Sequence, residues 1–225
     1  MRYLNEKAFG GLLFLLFVMA MLLFFPARTV RYWQAWVFLA VFGASALAIT
    51  LYLMKNDPKL LERRVSAGPI AEKDWSQKII QTTASIGFTA ILLVSALDHR
   101  FAWAPLPLLI SLAGDALVVL GFLIVFLVYK ENTFASATIE LAPEQKVIST
   151  GPYKLVRHPM YMGAFILLVG IPLSLGSRWG LLVIALMMPA LICRLMGEEK
   201  FLAKNLTGYP EYQKTVRYRL VPFIW

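Results

Sequence analysis

Gly151-Pro-Tyr-Lys-Leu-Val-Arg-His-Pro-Met-Tyr-Met-Gly163 runs without interruption into Ala164-Phe-Ile-Leu-Leu-Val-Gly-Ile-Pro-Leu-Ser-Leu175. Seven of the first thirteen residues are Gly, Pro, Arg, His or Lys, whereas the following twelve are almost wholly apolar. A charged, ring-rich turn placed where a chain enters a membrane has the character of a ligand site.

Composition sets its surroundings. Of 225 residues, 59% are hydrophobic and only 16% charged, outside the range of an ordinary soluble domain. The chain therefore reads as all-α, a polytopic membrane helix bundle of one domain. Cys193 is the only cysteine, which rules out an internal disulfide framework or a multi-cysteine metal site. The two histidines, His99 and His158, are too few and too far apart for a histidine-rich metal centre, so no metal is expected.

Six apolar runs approach the length needed to cross ~30 Å of hydrocarbon. They lie near Ala8–Phe25, Trp33–Met54, Ile79–Leu97, Pro105–Tyr129, Pro159–Leu175 and Trp179–Met196. The first lacks a small-residue cleavage site and ends in Phe24-Phe25-Pro26-Ala27-Arg28, so it is expected to stay in the mature protein. Counted on alternate sides of these spans, Lys and Arg divide 18 against 4. The basic side carries the N-terminus, the segments 55–78 and 130–157, and the tail from Arg194. By the positive-inside rule both termini and the long polar segments are cytosolic. The net charge of +9 then reflects topology and attraction to anionic membrane lipid, with no nucleic-acid partner expected.

The three long polar segments share that side. From Asp57 to Gln77, Leu60, Leu61 and Val65 interrupt the charges; a short interfacial helix is one reading, and a solvated connector anchored by Trp75 is preferred. From Lys130 to Thr150, Pro143 and Gly151-Pro152 punctuate the chain and Val147–Thr150 reads as extended, leaving backbone groups free for a ligand. Arg157 and His158 precede a proline suited to a first helical turn, near whose unpaired amides an anionic group is favoured. The same residues also suit a simple interfacial anchor, with Tyr153 and Tyr161 in the aromatic belt. In the third segment Arg194 and Glu198 share one helix face beside Glu199, where an ordinary surface ion pair is the plain alternative. A tight hairpin at Gly176–Gly180 brings this segment next to the motif. Asp115, inside the fourth run, suits a structural hydrogen bond between helices or the lining of a substrate cavity. Cys193 reads as a buried apolar filler.

Val147–Tyr153, Arg157–Gly163, Arg194 with Glu198-Glu199, Gly208-Tyr-Pro-Glu-Tyr212 and Val221-Pro-Phe-Ile224 together resemble, in order and spacing, the C-terminal half of the isoprenylcysteine carboxyl methyltransferase family. The resemblance covers roughly residues 130–225 and divides the chain into N-terminal helices, 1–129, and a cofactor-binding half. It implies S-adenosyl-L-methionine held by Gln145, Lys146, Val147, Ile148, Tyr153, His158, Pro159, Met160 and Tyr161. Arg194 and Glu198 would face the methyl acceptor, and a lipid-facing opening would admit its tail. Thr138 stands where the family has a glutamine.

The chemistry that the resemblance implies asks for alignment and dehydration more than for proton transfer, because a carboxylate is already ionised and nucleophilic at neutral pH. A carboxylate on a lipidic or small apolar acceptor is the leading substrate. Phospholipid amine or thiol acceptors compete with it, and an amine would need a base, for which His158 or Glu199 is available. Outside methyl transfer stand a sterol-type membrane reductase and a non-catalytic scaffold or transporter subunit.

Overall fold

The computed structural model describes residues 2–65, 74–135, 138, 141, 142 and 144–225. The described residues are helical and contain no strand. In chain order the helices are α1 (Arg2–Ala27), α2 (Trp33–Asn56), α3 (Pro58–Val65), α4 (Trp75–Phe101), α5 (Leu108–Glu131), α6 (Pro159–Ser174), α7 (Trp179–Asn205) and α8 (Tyr209–Thr215), with one 3-10 turn at Gly151–Lys154. Five of them, α1, α2, α4, α5 and α7, are long and apolar enough to cross a membrane. The chain is a polytopic membrane helix bundle.

Each expected run forms a helix, generally longer than its apolar core, because the flanking polar residues extend the helix beyond the hydrocarbon. The fourth begins later, at Leu108, behind Pro105 and Pro107. Helix α6 differs in length. Its 16 residues reach about 24 Å, short of the ~30 Å core, whereas α7 has 27 residues. The N-terminus of α6 is level with Glu198 and Glu199, so α7 continues past it toward Asn205 and leaves a recess above the shorter helix.

Helices α5 and α6 form the closest packing in the bundle, with glycines on both sides of the contact. A Cβ at Gly114 would lie 2.1 Å from the Ser174 backbone nitrogen, and one at Gly121 would lie 2.7 Å from the Gly163 carbonyl. Small residues let two backbones meet in a lipid setting where dispersion and shape drive association. This contact fixes the head of α6, where the motif lies, against the end of α5. Asp115 accepts a hydrogen bond from the Ser174 hydroxyl of α6, in keeping with its structural reading.

Pro58–Val65 is a helix, not the solvated connector preferred from its sequence. Leu60 and Leu61 are buried against Ala8, Leu53 and Val128, and that burial outweighs the charge content of α3. Residues 66–73 and Pro143 of the sequence reading lie outside the described residues. Trp75 is exposed at the start of α4. Cys193 is exposed as well: with Arg194 and Leu195 turned into the bundle, the helical period directs the preceding residue outward, so it is no core filler. The expected hairpin joins α6 to α7, with Gly176 at φ 73° and its amide donating to the Leu173 carbonyl.

Candidate active site

A cavity of about 390 Å³ occupies the recess, within the usual range for small-molecule sites. Gln145, Lys146, Val147, Ile148, Tyr153, His158, Pro159, Met160, Tyr161, Arg194 and Glu198 all line it. The structure thus brings together every residue that the sequence reading assigned to cofactor or acceptor. Thr138 lines it too, as do Arg64, Gln81, Ala84, Val125 and Tyr129 from the earlier helices.

The motif owes its geometry to a polar strap. Arg157 and His158 donate their backbone amides to the Tyr218 and Arg219 carbonyls, both at 2.9 Å, so these two amides are satisfied by the tail instead of awaiting an anion. The Arg157 guanidinium donates through Nε to Glu199 Oε1 at 2.6 Å and through Nη1 to the Val216 and Arg217 carbonyls. Arg219 Nε donates to the other oxygen, Glu199 Oε2, at 2.7 Å. His158 is 4% exposed, with Nε2 3.7 Å from Glu199 Oε1. Glu199 is therefore held between two arginines and does not line the cavity, which removes it as the base considered for an amine acceptor.

Across the cavity, α7 presents Arg194 and Glu198. Arg194 is 8% exposed, so it is no member of a surface ion pair; its Nη1 donates to Gln77 Oε1 of α4 at 3.2 Å. Glu198 Oε2 accepts from the Tyr161 hydroxyl at 2.6 Å. These bonds fix a guanidinium and a carboxylate at the wall, one helical turn apart. Gln77 was not singled out from the sequence, and no local signal marks it, because its partner lies 117 residues away.

The 145–148 segment has no regular secondary structure and meets the α8 cluster through Val147. Gln145 turns its amide oxygen back to accept from the Ala142 backbone at 3.0 Å, so its side chain also shapes the loop. Val147 packs against Tyr209 and Tyr212. The Tyr153 hydroxyl accepts from Asn132 Nδ2 at 2.7 Å, and its carbonyl accepts from the Tyr212 hydroxyl at 2.8 Å. Burial pushes the Tyr153 phenol up to about 12, against the opposing pull of the Asn132 amide, so it is neutral at physiological pH. Burial likewise raises the phenols of Tyr209 and Tyr212 well above their ordinary value.

Among the described residues, this wall offers aromatic faces, a non-helical backbone, several cations and the Glu198 carboxylate. Such a set suits a ligand that combines a flat ring system, polar groups and both signs of charge. S-adenosylmethionine has that composition.

Residues 109–207 match the family model described as phospholipid methyltransferase. No curated protein matches the chain. The matched region spans α5 to α7 and the beginning of the tail, which contains the motif and most of the cavity wall. This membrane methyltransferase family is related to the isoprenylcysteine carboxyl methyltransferases, and the match supports a membrane methyltransferase.

Proposed function

We propose that this protein is an S-adenosylmethionine-dependent methyltransferase of the membrane, acting on a carboxylate of a lipidic or small apolar acceptor from the cytosolic side. One observation carries the reading: residues scattered from Gln145 to Glu198, which the family resemblance assigns to cofactor and acceptor, line a single cavity. When bound, S-adenosylmethionine supplies an electrophilic methyl carbon on its sulfonium. The chain's own residues bind, orient and exclude water. The 145–148 segment, Tyr153 and the His158–Tyr161 turn hold the cofactor, and Arg194 orients the acceptor carboxylate through its fork of donors. Glu198, anchored by Tyr161, sets the position of a cationic part of a ligand. None of these roles needs a proton to move.

A phospholipid amine acceptor is the second reading, favoured by the description of the matching family. It requires a base, and with Glu199 clamped by Arg157 and Arg219 only His158 of the two considered remains at the cavity. The family match favours methyl transfer over a reductase.

Purified protein titrated with S-adenosylmethionine tests the cofactor, and absence of binding overturns the proposal. Labelled methyl transferred to mixed membrane lipids then separates the acceptors. A methyl ester releases its label as methanol in mild base, whereas a methylated amine retains it.

A further inference from the structure

The six residues from Leu220 to Trp225 carry no charged side chain, whereas Lys214, Arg217 and Arg219 precede them. Phe223 and Ile224 are 84% and 80% exposed, and together they form an apolar patch that water disfavours. Phe223 stands at φ 67°, in the left-handed region where a bulky residue is strained.

The place of this turn is unlike that of a surface loop. Leu220 and Trp225 share a small apolar crevice with Phe165 and Leu168 of α6 and with Met188 and Ile192 of α7. Leu168 lies nine residues into α6 from Pro159, and Met188 lies ten residues before Glu198 on α7. Both are therefore about 13 to 15 Å along their helices from the level of the motif. Having passed the motif at Tyr218 and Arg219, the chain descends along the apolar sides of α6 and α7. Leu182, Leu186 and Ile192 are exposed on α7, one of the membrane helices, so the turn adjoins a lipid-facing surface.

Its backbone suits the same surroundings. Irregular chain in contact with hydrocarbon must satisfy its own polar groups. Leu220 and Val221 donate their amides to the Trp225 carbonyl at 2.8 and 2.9 Å, and Ile224 and Trp225 donate to the Val221 carbonyl at 3.2 and 3.0 Å. Pro222 has no amide, so five of the six residues present no unpaired donor. We propose that the Leu220–Trp225 turn is inserted in the bilayer as a short wedge, with Phe223 and Ile224 among the acyl chains of the leaflet at the cavity end and Lys214 and Arg217 at its headgroups. The partner is lipid. Because the Tyr218 and Arg219 carbonyls receive the Arg157 and His158 amides, insertion fastens the motif turn to the bilayer surface. None of this depends on the reaction catalysed.

The test places single spin labels on the full chain through Phe223→Cys, Ile224→Cys, Leu186→Cys and Lys214→Cys, each in a Cys193→Ser background, in vesicles of phosphatidylcholine and phosphatidylglycerol. Power saturation compares collisions with oxygen, which concentrates among acyl chains, and with a water-soluble nickel chelate. Leu186, exposed on α7, sets the lipid reference, and Lys214, exposed before the turn, sets the aqueous one. Labels at 223 and 224 should favour oxygen over nickel as the label at 186 does, several-fold more than the label at 214. A ratio equal to that at 214 puts the turn in water and overturns the proposal. Protection from both reagents means that protein covers the turn, a second copy included, and overturns it as well. If Phe223→Cys does not fold, Ile224→Cys carries the same expectation, since its backbone lies outside the left-handed region.

Discussion

Arg157 Nε lies 2.6 Å from Glu199 Oε1, with both side chains about 6% exposed. The arginine of the motif therefore serves as a buttress, tying the turn before α6 to α7 and, through Val216 and Arg217, to the tail. Its neighbour His158 lines the cavity because this brace holds the turn in place. Removing one member of a buried ion pair leaves the other charge uncompensated.

Glu199→Gln should accordingly destabilise the protein by about 3–5 kcal/mol, since it strips the anion from between two guanidinium groups. Arg157→Lys should not be silent, because an ammonium cannot address a carboxylate and two carbonyls in the same fixed geometry. Thermal unfolding in detergent checks both variants. A Glu199→Gln melting temperature equal to wild type would mean that the clamp contributes nothing to stability.

The cofactor wall makes a separate expectation. His158→Ala and Tyr153→Phe should weaken S-adenosylmethionine binding while leaving the protein extractable and folded. The Tyr153 phenol, raised to about 12 from its ordinary 10, holds its proton in the folded state across a window where the unfolded chain would lose it. Its contribution to stability is thus fully present below pH ~10 and disappears as pH rises from about 10 to 12. A phenolate absorbance titration of wild type against Tyr153→Phe should lose a step near the upper end of that window. A missing step near pH 10 instead would contradict the burial assigned to this ring.

Arg194 and Glu198 should govern methyl transfer more than cofactor affinity. Loss of a charge-assisted hydrogen bond, roughly 1.5–3 kcal/mol, lowers turnover about ten to a hundredfold in Arg194→Ala or Glu198→Gln. Gln77→Leu tests the bond that positions Arg194 from α4. It should reduce transfer less than Arg194→Ala, and it should add little when combined with it, because both act on one guanidinium. Full additivity would show that Gln77 acts independently of Arg194.

Legibility of this chain followed the range of the interactions involved. Hydropathy marked the membrane helices because a span must satisfy its backbone within itself, a local requirement. The motif was visible because its residues adjoin one another. Gln77 and the Arg157–Glu199 clamp were not, since the helix packing that creates those contacts is written in no single window of sequence. For Cys193 the composition of its neighbourhood misled, as the helical period and not hydrophobicity decided its face. In α3, charge density concealed a two-residue apolar contact that packs the helix against α1, α2 and α5.

Topology provides the remaining expectation. Ala8 near the start of α1, Leu53 near the end of α2, helix α3 and Val128 near the end of α5 pack into one cluster, which Tyr153 and Met160 also join. The four basic-rich segments therefore gather at the cavity end of the bundle. The opposite end joins Tyr32 to the Leu175 carbonyl at 2.7 Å and Asp98 to Ser177 at 2.6 Å, where few basic residues occur in sequence. By the positive-inside rule, an 18 to 4 division of Lys and Arg predicts that the cavity end faces the cytosol. Reporter fusions after Lys55, Lys146 and Trp225 should read cytosolic, and fusions after Arg100 and Arg178 should read on the other side. A Lys146 fusion reporting outside would place the cavity away from the cytosol and sink the orientation.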